Sequence, residues 1–117
     1  MLFLHYPRCT TCQRAKKWLD EQGVAYEARD IVQNRPTCAE LKEWQERSGL
    51  EPKRFFNTSG IQYRALNLKD KLPYLSQEQM FELLGSDGKL VKRPLLVTDD
   101  KVLVGFKPEQ WAAALRG

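Results

Sequence analysis

The alternation of apolar and polar positions separates the chain into two strand-containing parts joined by a helical segment. The apolar run from Leu2 to Tyr6 predicts a buried first strand. From Thr10 to Gly23 the apolar residues recur at helical spacing, and the glycine supplies a stop. The run from Val24 to Ile31 predicts a second strand, parallel to the first across a right-handed crossover. Residues 2–31 are therefore predicted to form one β-α-β unit.

The middle of the chain, residues 37–85, is predicted to be mostly helical. Two capping boxes open helices here, at Thr37 with Glu40 and at Ser76 with Gln79. The first of these helices is expected to end at Gly49 and the second at Gly85. The polar, glycine-bearing segment TSGIQYR between them is predicted to be a loop.

In the last third of the chain, the pattern of apolar residues again predicts strands. Leu95–Thr98 and Val102–Gly105 are apolar runs separated by TDDK, so they predict an antiparallel hairpin. Pro108 then begins a final helix. The order is that of a thioredoxin-like α/β fold: one domain over residues 1–117, with a four-stranded mixed sheet, helices on both faces and a helical insertion at about 37–85.

Composition excludes several classes of protein. The 117 residues are 42% hydrophobic and 29% charged, which is typical of one globular domain. The net charge is +4, but 15 acidic residues offset 19 basic ones along the chain, so no direct nucleic-acid binding is expected. No apolar run approaches the ~20 residues of a membrane span, and the first residues do not resemble a signal peptide. A cytoplasmic monomer without membrane contact is the expectation.

The candidate chemistry lies in YPRCTTCQRAKKWL, where Cys9 and Cys12 are two residues apart. Cys9 is placed just before the first helix and Cys12 in its first turn, so a disulfide between them is sterically easy. The helix N-terminus, together with Arg8 and Arg14, is expected to lower the pKa of Cys9. This arrangement favours redox or nucleophilic chemistry.

Two other interpretations of the cysteines stay open at this point. A structural zinc site needs four ligands, and only Cys38 and His5 remain to complete one. Two buried structural cysteines are the other alternative, since free cysteine is often buried. Both are weighted below redox chemistry. No metal is predicted, Cys38 is expected to be a bystander, and His5 is expected to be an ordinary strand residue.

Three spaced motifs, YPRCTTCQRAKKWL, FFNTSGIQYR and KRPLLV with VGFKPEQW, together resemble the arsenate reductase and Spx family of thioredoxin-like proteins. The resemblance runs from residue 2 to residue 115. It implies a nucleophilic Cys9 and a cis Pro94 preceded by Arg93, which orients the thiolate or its anionic partner.

The sequence also departs from the family. Arsenate reductases of this type bring two further arginines to the oxyanion, and the corresponding positions here are Asn57 and Lys107. They also carry an arginine where Gln13 stands and lack a cysteine at the Cys12 position. Spx regulators keep the Cys-x-x-Cys pair as a redox switch and bind the RNA polymerase alpha subunit, yet they have a longer C-terminal tail than this chain.

The function predicted from these residues is that of a thiol-disulfide oxidoreductase or thiol-dependent reductase. Cys9 attacks a disulfide or thiol adduct, Cys12 resolves the mixed disulfide as a redox-active Cys9–Cys12 disulfide, and Arg93 orients the anionic partner. The predicted substrate-binding residues are Arg8, Pro94, Asn57 and Lys107. No bound cofactor is expected, with glutathione or another low-molecular-weight thiol as co-substrate and glutaredoxin or thioredoxin as candidate partners. An Spx-like regulator that binds the polymerase alpha subunit is the first alternative, and an arsenate reductase is the second.

Overall fold

The computed structural model describes residues 1–116. Its strands are β1 (Leu2–His5), β2 (Glu27–Asp30), β3 (Leu95–Val97) and β4 (Val102–Val104). Its helices are α1 (Thr10–Gln22), α2 (Cys38–Ser48), α3 (Ile61–Ala65), α4 (Leu68–Lys71), α5 (Gln77–Ser86) and α6 (Pro108–Arg116). Short 3₁₀ helices cover Pro52–Phe55, Leu72–Tyr74 and Gly88–Leu90.

The four strands form one mixed sheet in the order β2-β1-β3-β4. β1 pairs with β2 in parallel, with Leu2 opposite Glu27, while β3 pairs antiparallel with both β1 and β4. This confirms the predicted four-stranded mixed sheet and its C-terminal hairpin. β1 is a central strand, which explains why Phe3 and Leu4 are both fully buried.

Helices cover both faces of the sheet, as predicted. On one face, Phe3 and Leu96 pack with Ala15 and Leu19 of α1 and with Trp111 of α6. On the other face lies the helical insertion. Its core members include Leu4, Leu95, Leu41, Trp44, Phe81 and Leu84. Because successive residues of a strand point to opposite faces, the pair Phe3 and Leu4 contributes to both cores.

Two predictions about local structure need correction. The second strand begins at Glu27 rather than Val24, because its ladder with β1 begins at the Leu2–Glu27 pair and Val24 packs against the α1 side of the sheet. The segment TSGIQYR is not a loop throughout, since α3 begins at Ile61. Tyr63 is buried against Phe56 with ring centroids 6.4 Å apart, and this tertiary contact holds a turn that the polar sequence does not predict.

Both predicted capping boxes are present. The Glu40 backbone N–H donates to Thr37 Oγ1 at 3.1 Å, and the Thr37 N–H donates to Glu40 Oε1 at 3.0 Å. Ser76 and Gln79 exchange the corresponding bonds at the start of α5. Helix α5 ends one residue beyond the expected Gly85. No helix among residues 1–116 has the length and hydropathy needed to cross a membrane.

Candidate functional site

Cys9 is the residue that immediately precedes helix α1. Its backbone N–H donates to the Tyr6 carbonyl at 2.9 Å, which closes a tight turn after β1. Its own carbonyl accepts the Gln13 N–H at 3.0 Å and so begins the helical bonding pattern. This connection places the Cys9 side chain on the wall of a cavity of about 480 Å³.

The two cysteines of the pair have opposite electrostatic environments. Burial acts to raise the pKa of Cys9, but the Cys12 backbone N–H, the Cys12 thiol and the Arg93 side chain stabilise the thiolate, so the pKa lies below its usual value. The Cys9 sulfur lies near the Cys12 N–H without making a capping hydrogen bond of ordinary geometry to α1. Burial, with the neighbouring Cys9, raises the pKa of Cys12 to about 12. One sulfur is an accessible nucleophile and the other is a protected thiol.

Cys12 is fully buried, and its sulfur lies 3.5 Å from the Tyr6 backbone nitrogen, which donates to it. Cys9, Cys12 and Cys38 are all free thiols in this structure. The Cys12 thiol contacts Cys9 closely enough to stabilise the Cys9 thiolate. Cys9 and Cys12 are therefore a pair of reduced, neighbouring thiols.

Arg93 faces Cys9 from the loop before β3. Its Nη1 donates to the Lys89 carbonyl at 3.2 Å, and its guanidinium lies 5.0 Å from the centre of the Tyr6 ring. The Arg93–Pro94 peptide bond is cis, as the family resemblance implies. Pro94 is buried behind Arg93 and does not line the cavity. These contacts hold the Arg93 guanidinium beside the thiolate.

The cavity also contains residues from two distant segments. Asn57 and Lys107, which the sequence predicts as substrate-binding residues, both line it. Three further basic side chains line it that sequence reasoning missed: Lys53, Arg54 and Lys92. No local motif marks them, because they come from the 3₁₀ helix after α2 and from the loop before β3. The pair Lys92-Arg93 before the proline was the only available signal.

Arg8 does not take the predicted position. Its side chain is exposed and does not line the cavity, and Arg14 is exposed on the outer face of α1. Neither residue is among the groups that set the pKa of Cys9, where Arg93 is the cation in contact. The predicted activation of Cys9 by Arg8 and Arg14 is therefore not seen in this structure, where both side chains are exposed and the cation that acts to lower the pKa of Cys9 is Arg93 from a distant segment.

Cys38 and His5 lie apart from this cavity. Cys38 begins α2, and His5 is a strand residue whose ring stacks on Phe3 with centroids 5.1 Å apart. Burial lowers the pKa of His5 despite the nearby Asp30 carboxylate. Among residues 1–116, no group of three or more histidine, cysteine or acidic side chains is arranged to hold a metal ion.

Comparison with known proteins places residues 4–114 within the ArsC family. The chain is 50% identical to the uncharacterized protein YusI of Bacillus subtilis over 95% of its own length and 94% of that protein. It is 28% identical to the global transcriptional regulator Spx of Listeria monocytogenes, over 89% of its own length and 78% of Spx.

Solved structures agree with this assignment. An ArsC family related protein from Bacteroides fragilis is 56% identical, with a TM-score of 0.94 over 96% of this chain and 94% of the other. A protein of Streptococcus mutans described as a possible arsenate reductase is 49% identical, with a TM-score of 0.87 over 95% of this chain and 96% of the other. Proteins similar to this chain thus include one described as a possible arsenate reductase and one described as a global transcriptional regulator.

Proposed function

Because the chain belongs to the ArsC family, we propose that it is a thiol-dependent oxidoreductase in which Cys9 is the nucleophile and Cys12 the resolving thiol. One observation carries the proposal: an accessible Cys9 with a lowered pKa lies against a buried Cys12 whose pKa is raised to about 12. Such a division of roles suits a disulfide reductase, in which one sulfur must attack first.

In the first step the Cys9 thiolate attacks one sulfur of a disulfide R–S–S–R. A Cys9–S–S–R bond forms, the substrate S–S bond breaks, and one thiolate RS⁻ leaves. Arg93, which lines the same cavity as Cys9 and acts to lower the pKa of its thiol, is placed to stabilise both the attacking thiolate and the departing anion.

In the second step Cys12 attacks the Cys9 sulfur of the mixed disulfide. The Cys9–Cys12 bond forms and the second RS⁻ leaves, so the substrate has gained two electrons and the protein has lost two. The Cys9 thiolate is one of the groups that raise the pKa of Cys12. Its conversion to a disulfide removes that charge, and Cys12 therefore becomes easier to deprotonate when resolution requires it.

The cycle closes when a thiol reductant reduces the Cys9–Cys12 disulfide. Two molecules of a low-molecular-weight thiol such as glutathione supply the two electrons and leave as their own disulfide. Glutaredoxin or thioredoxin is an alternative source of the same electrons. No cofactor is needed for any step, and a cytoplasmic monomer acting on small thiol compounds is the form that we propose.

A regulatory function is the first alternative, and its support is the similarity to Spx across most of both chains. In that case the Cys9–Cys12 pair is a redox switch and the partner is the RNA polymerase alpha subunit. Turnover of small disulfides would then be negligible.

Arsenate reduction is the second alternative, and one structural observation favours it. Asn57 and Lys107 stand where the family's arginines are expected, yet Arg54 lines the cavity together with Arg93. Two guanidinium groups therefore line the cavity that contains Cys9, whereas the resemblance to the family leads us to expect only one. We place arsenate below disulfides because Cys12 supplies an internal resolving thiol that glutathione-dependent arsenate reductases lack.

The test is to trap the mixed disulfide. The Cys12→Ser variant, mixed with the disulfide of glutathione, is expected to accumulate one glutathione adduct on Cys9, whereas wild type passes to the Cys9–Cys12 disulfide. Intact-protein mass spectrometry of each sample, followed by peptide mapping, reads out both species.

Parallel assays separate the alternatives. With dithiothreitol as the source of two electrons per cycle, wild-type protein is assayed for turnover of the glutathione disulfide and of arsenate, and separately for capture of purified RNA polymerase alpha subunit. No adduct with Cys12→Ser, together with capture of the alpha subunit, would move the regulatory function to first place. Arsenate turnover that depends on Cys9 and exceeds disulfide turnover would do the same for the arsenate alternative.

A further inference from the structure

The cavity beside Cys9 is the centre of a longer basic groove. It shares Arg54 and Lys107 with an adjoining cavity of about 390 Å³ and shares Asn57 and Arg93 with another of about 280 Å³. We call these three adjoining cavities the cationic groove. Five basic side chains line the central part, Lys53, Arg54, Lys92, Arg93 and Lys107, while Lys89 and Lys101 line the flanking parts.

No acidic side chain among residues 1–116 lines any part of the cationic groove, although the chain has 15 of them. Of the basic side chains in the groove, only Lys53 makes an ion pair within the described residues, with Glu51 at 3.2 Å. Outside the groove, Lys16, Arg29, Lys42 and Arg47 are paired with carboxylates, but there the unpaired basic residues are interspersed with acidic ones, whereas the groove has none in its lining in the part of the chain that the structure describes. The positive potential of the groove is thus left for a ligand to neutralise.

Asn57 adds a directional donor to this groove. Its side chain is only 8% exposed, yet it lines both the central cavity and the smaller flanking one. The Oδ1 atom accepts from Ser59 Oγ at 3.3 Å, while Nδ2 has no acceptor among the described residues. Gly60 leaves room for that amide, because a Cβ at position 60 would lie 2.8 Å from Nδ2. An amide donor that has no protein acceptor and belongs to a residue lining a basic groove favours an anionic oxygen as its partner.

Resting on the proposed thiol chemistry, we infer that the substrate of Cys9 is a small-molecule disulfide whose thiol half carries phosphate groups. The cationic groove holds these phosphates while the sulfur reacts at Cys9. Attack by the Cys9 thiolate forms the mixed disulfide and releases one phosphorylated thiolate. Attack by Cys12 releases the second, and a dithiol reductant returns the two electrons.

Size and charge distinguish this substrate from other anions. The central cavity lies in the volume range of small-molecule sites, and the flanking cavities extend it, so a single oxyanion would leave most of the cationic groove unneutralised. A phosphate offers more charge and more acceptor oxygens than a carboxylate. It can therefore engage guanidinium, ammonium and amide donors together, and with more contacts than the carboxylates of a zwitterionic thiol provide.

The experiment compares two disulfides that share one thiol arm. Coenzyme A disulfide carries phosphates and pantethine does not, so each is assayed with dithiothreitol as reductant and normalised to its uncatalysed rate. We expect kcat/KM to be at least about tenfold higher for coenzyme A disulfide at low salt. The preference should shrink in about 0.5 M NaCl, because salt screens exposed charges.

Variants locate the effect in the cationic groove. Arg54→Gln with Lys107→Gln is expected to lower the ratio of the two kcat/KM values about threefold or more. The matched control is Lys69→Gln, an exposed charge on α4 outside the groove, which should leave the ratio unchanged. Equal normalised rates for both disulfides, or a preference insensitive to salt, would overturn the phosphate inference while the proposed function stands. Turnover of neither disulfide, or turnover that survives Cys9→Ser, would instead overturn the proposed function.

Discussion

Two helices of this protein begin at the carboxyl ends of neighbouring parallel strands, and each has a cysteine at its start. Helix α1 follows β1 with Cys9 in the residue before the helix, and α2 follows β2 with Cys38 as its first residue. Both sulfurs lie near a helix N-terminus, where the partial positive charge favours an anion.

The two helix starts differ in what satisfies their free N–H groups. At α2 the Thr37–Glu40 capping box occupies two of them, and Glu40 also binds Arg29 through two hydrogen bonds of 2.7 and 2.9 Å. At α1 there is no side-chain cap and no acidic residue in the first turn. At the start of α2 the protein's own side chains satisfy free N–H groups, whereas at the start of α1 those groups are left to stabilise the Cys9 thiolate. The surroundings of the two sulfurs therefore differ although both cysteines stand at a helix start.

The largest expected effect separates the two cysteines directly. Cys9→Ser is expected to lower thiol-dependent turnover of a small disulfide by about a thousandfold or more, since it removes the nucleophile. Cys38→Ser is expected to stay within about twofold of wild type. Steady-state kinetics on both variants, with circular dichroism as a folding control, check this. Comparable losses in the two would remove the distinction drawn between the helix starts.

The next effect tests which cation activates Cys9. Arg93→Gln removes a charged hydrogen bond to the Cys9 thiolate, so we expect alkylation of Cys9 at pH 7 to slow by about tenfold. The pH midpoint of alkylation should move upward. Arg14→Gln is the matched control on α1 and should change the rate less than twofold. Iodoacetamide kinetics, followed by peptide mapping, measure both, and a larger loss in Arg14→Gln would restore the sequence-based assignment.

A smaller effect concerns the neutralised helix start. The hydrogen bond from Arg29 lowers the pKa of Glu40 to about 2, against burial that acts to raise it. A carboxyl whose pKa is lowered in the folded protein stabilises the fold at pH values above its pKa in the unfolded chain, which is about 4.3. This contribution disappears as the pH falls toward 2. Glu40→Gln keeps a capping side chain but removes the charge. Because Glu40 is partly exposed, we expect a loss of about 1–2 kcal/mol at pH 7.

Urea unfolding of wild type and Glu40→Gln at several pH values measures this loss. The difference in unfolding free energy should be full at pH 7 and should shrink between about pH 4 and pH 2, where wild-type Glu40 becomes protonated. A difference that does not change over this range would show that the ion pair does not carry the effect.

The smallest effect compares one threonine from each helix start. Thr37→Ala removes the N-cap of α2 and is expected to lower the unfolding free energy by about 1 kcal/mol. Thr10→Ala, at the first residue of the uncapped α1, should change it by less than about 0.5 kcal/mol. Denaturant midpoints give both values. An equal loss at Thr10 would mean that α1 is capped after all.

Local patterns in the sequence predict most of the fold. Two capping boxes and the glycine stops of α1 and α2 agree with the structure, because each rests on contacts within one turn of the chain. The β-α-β unit and the C-terminal hairpin were also predictable from apolar periodicity. The failures are α3 and the start of β2. α3 depends on Tyr63 packing against Phe56, and β2 on its register with β1, so neither follows from local sequence alone.

The candidate site likewise has features that follow from local sequence and features that depend on tertiary contacts. Chain spacing and helix geometry are enough to predict that Cys9 and Cys12 lie at a strand-to-helix turn. The cations that line the cavity with the Cys9 sulfur could not be predicted in this way. Arg8 and Arg14 are near in sequence but point outward, while Arg93 and Arg54 arrive from distant segments that the sheet and the insertion bring together. Electrostatic effects depend on distance through space, and local sequence pattern does not encode those distances.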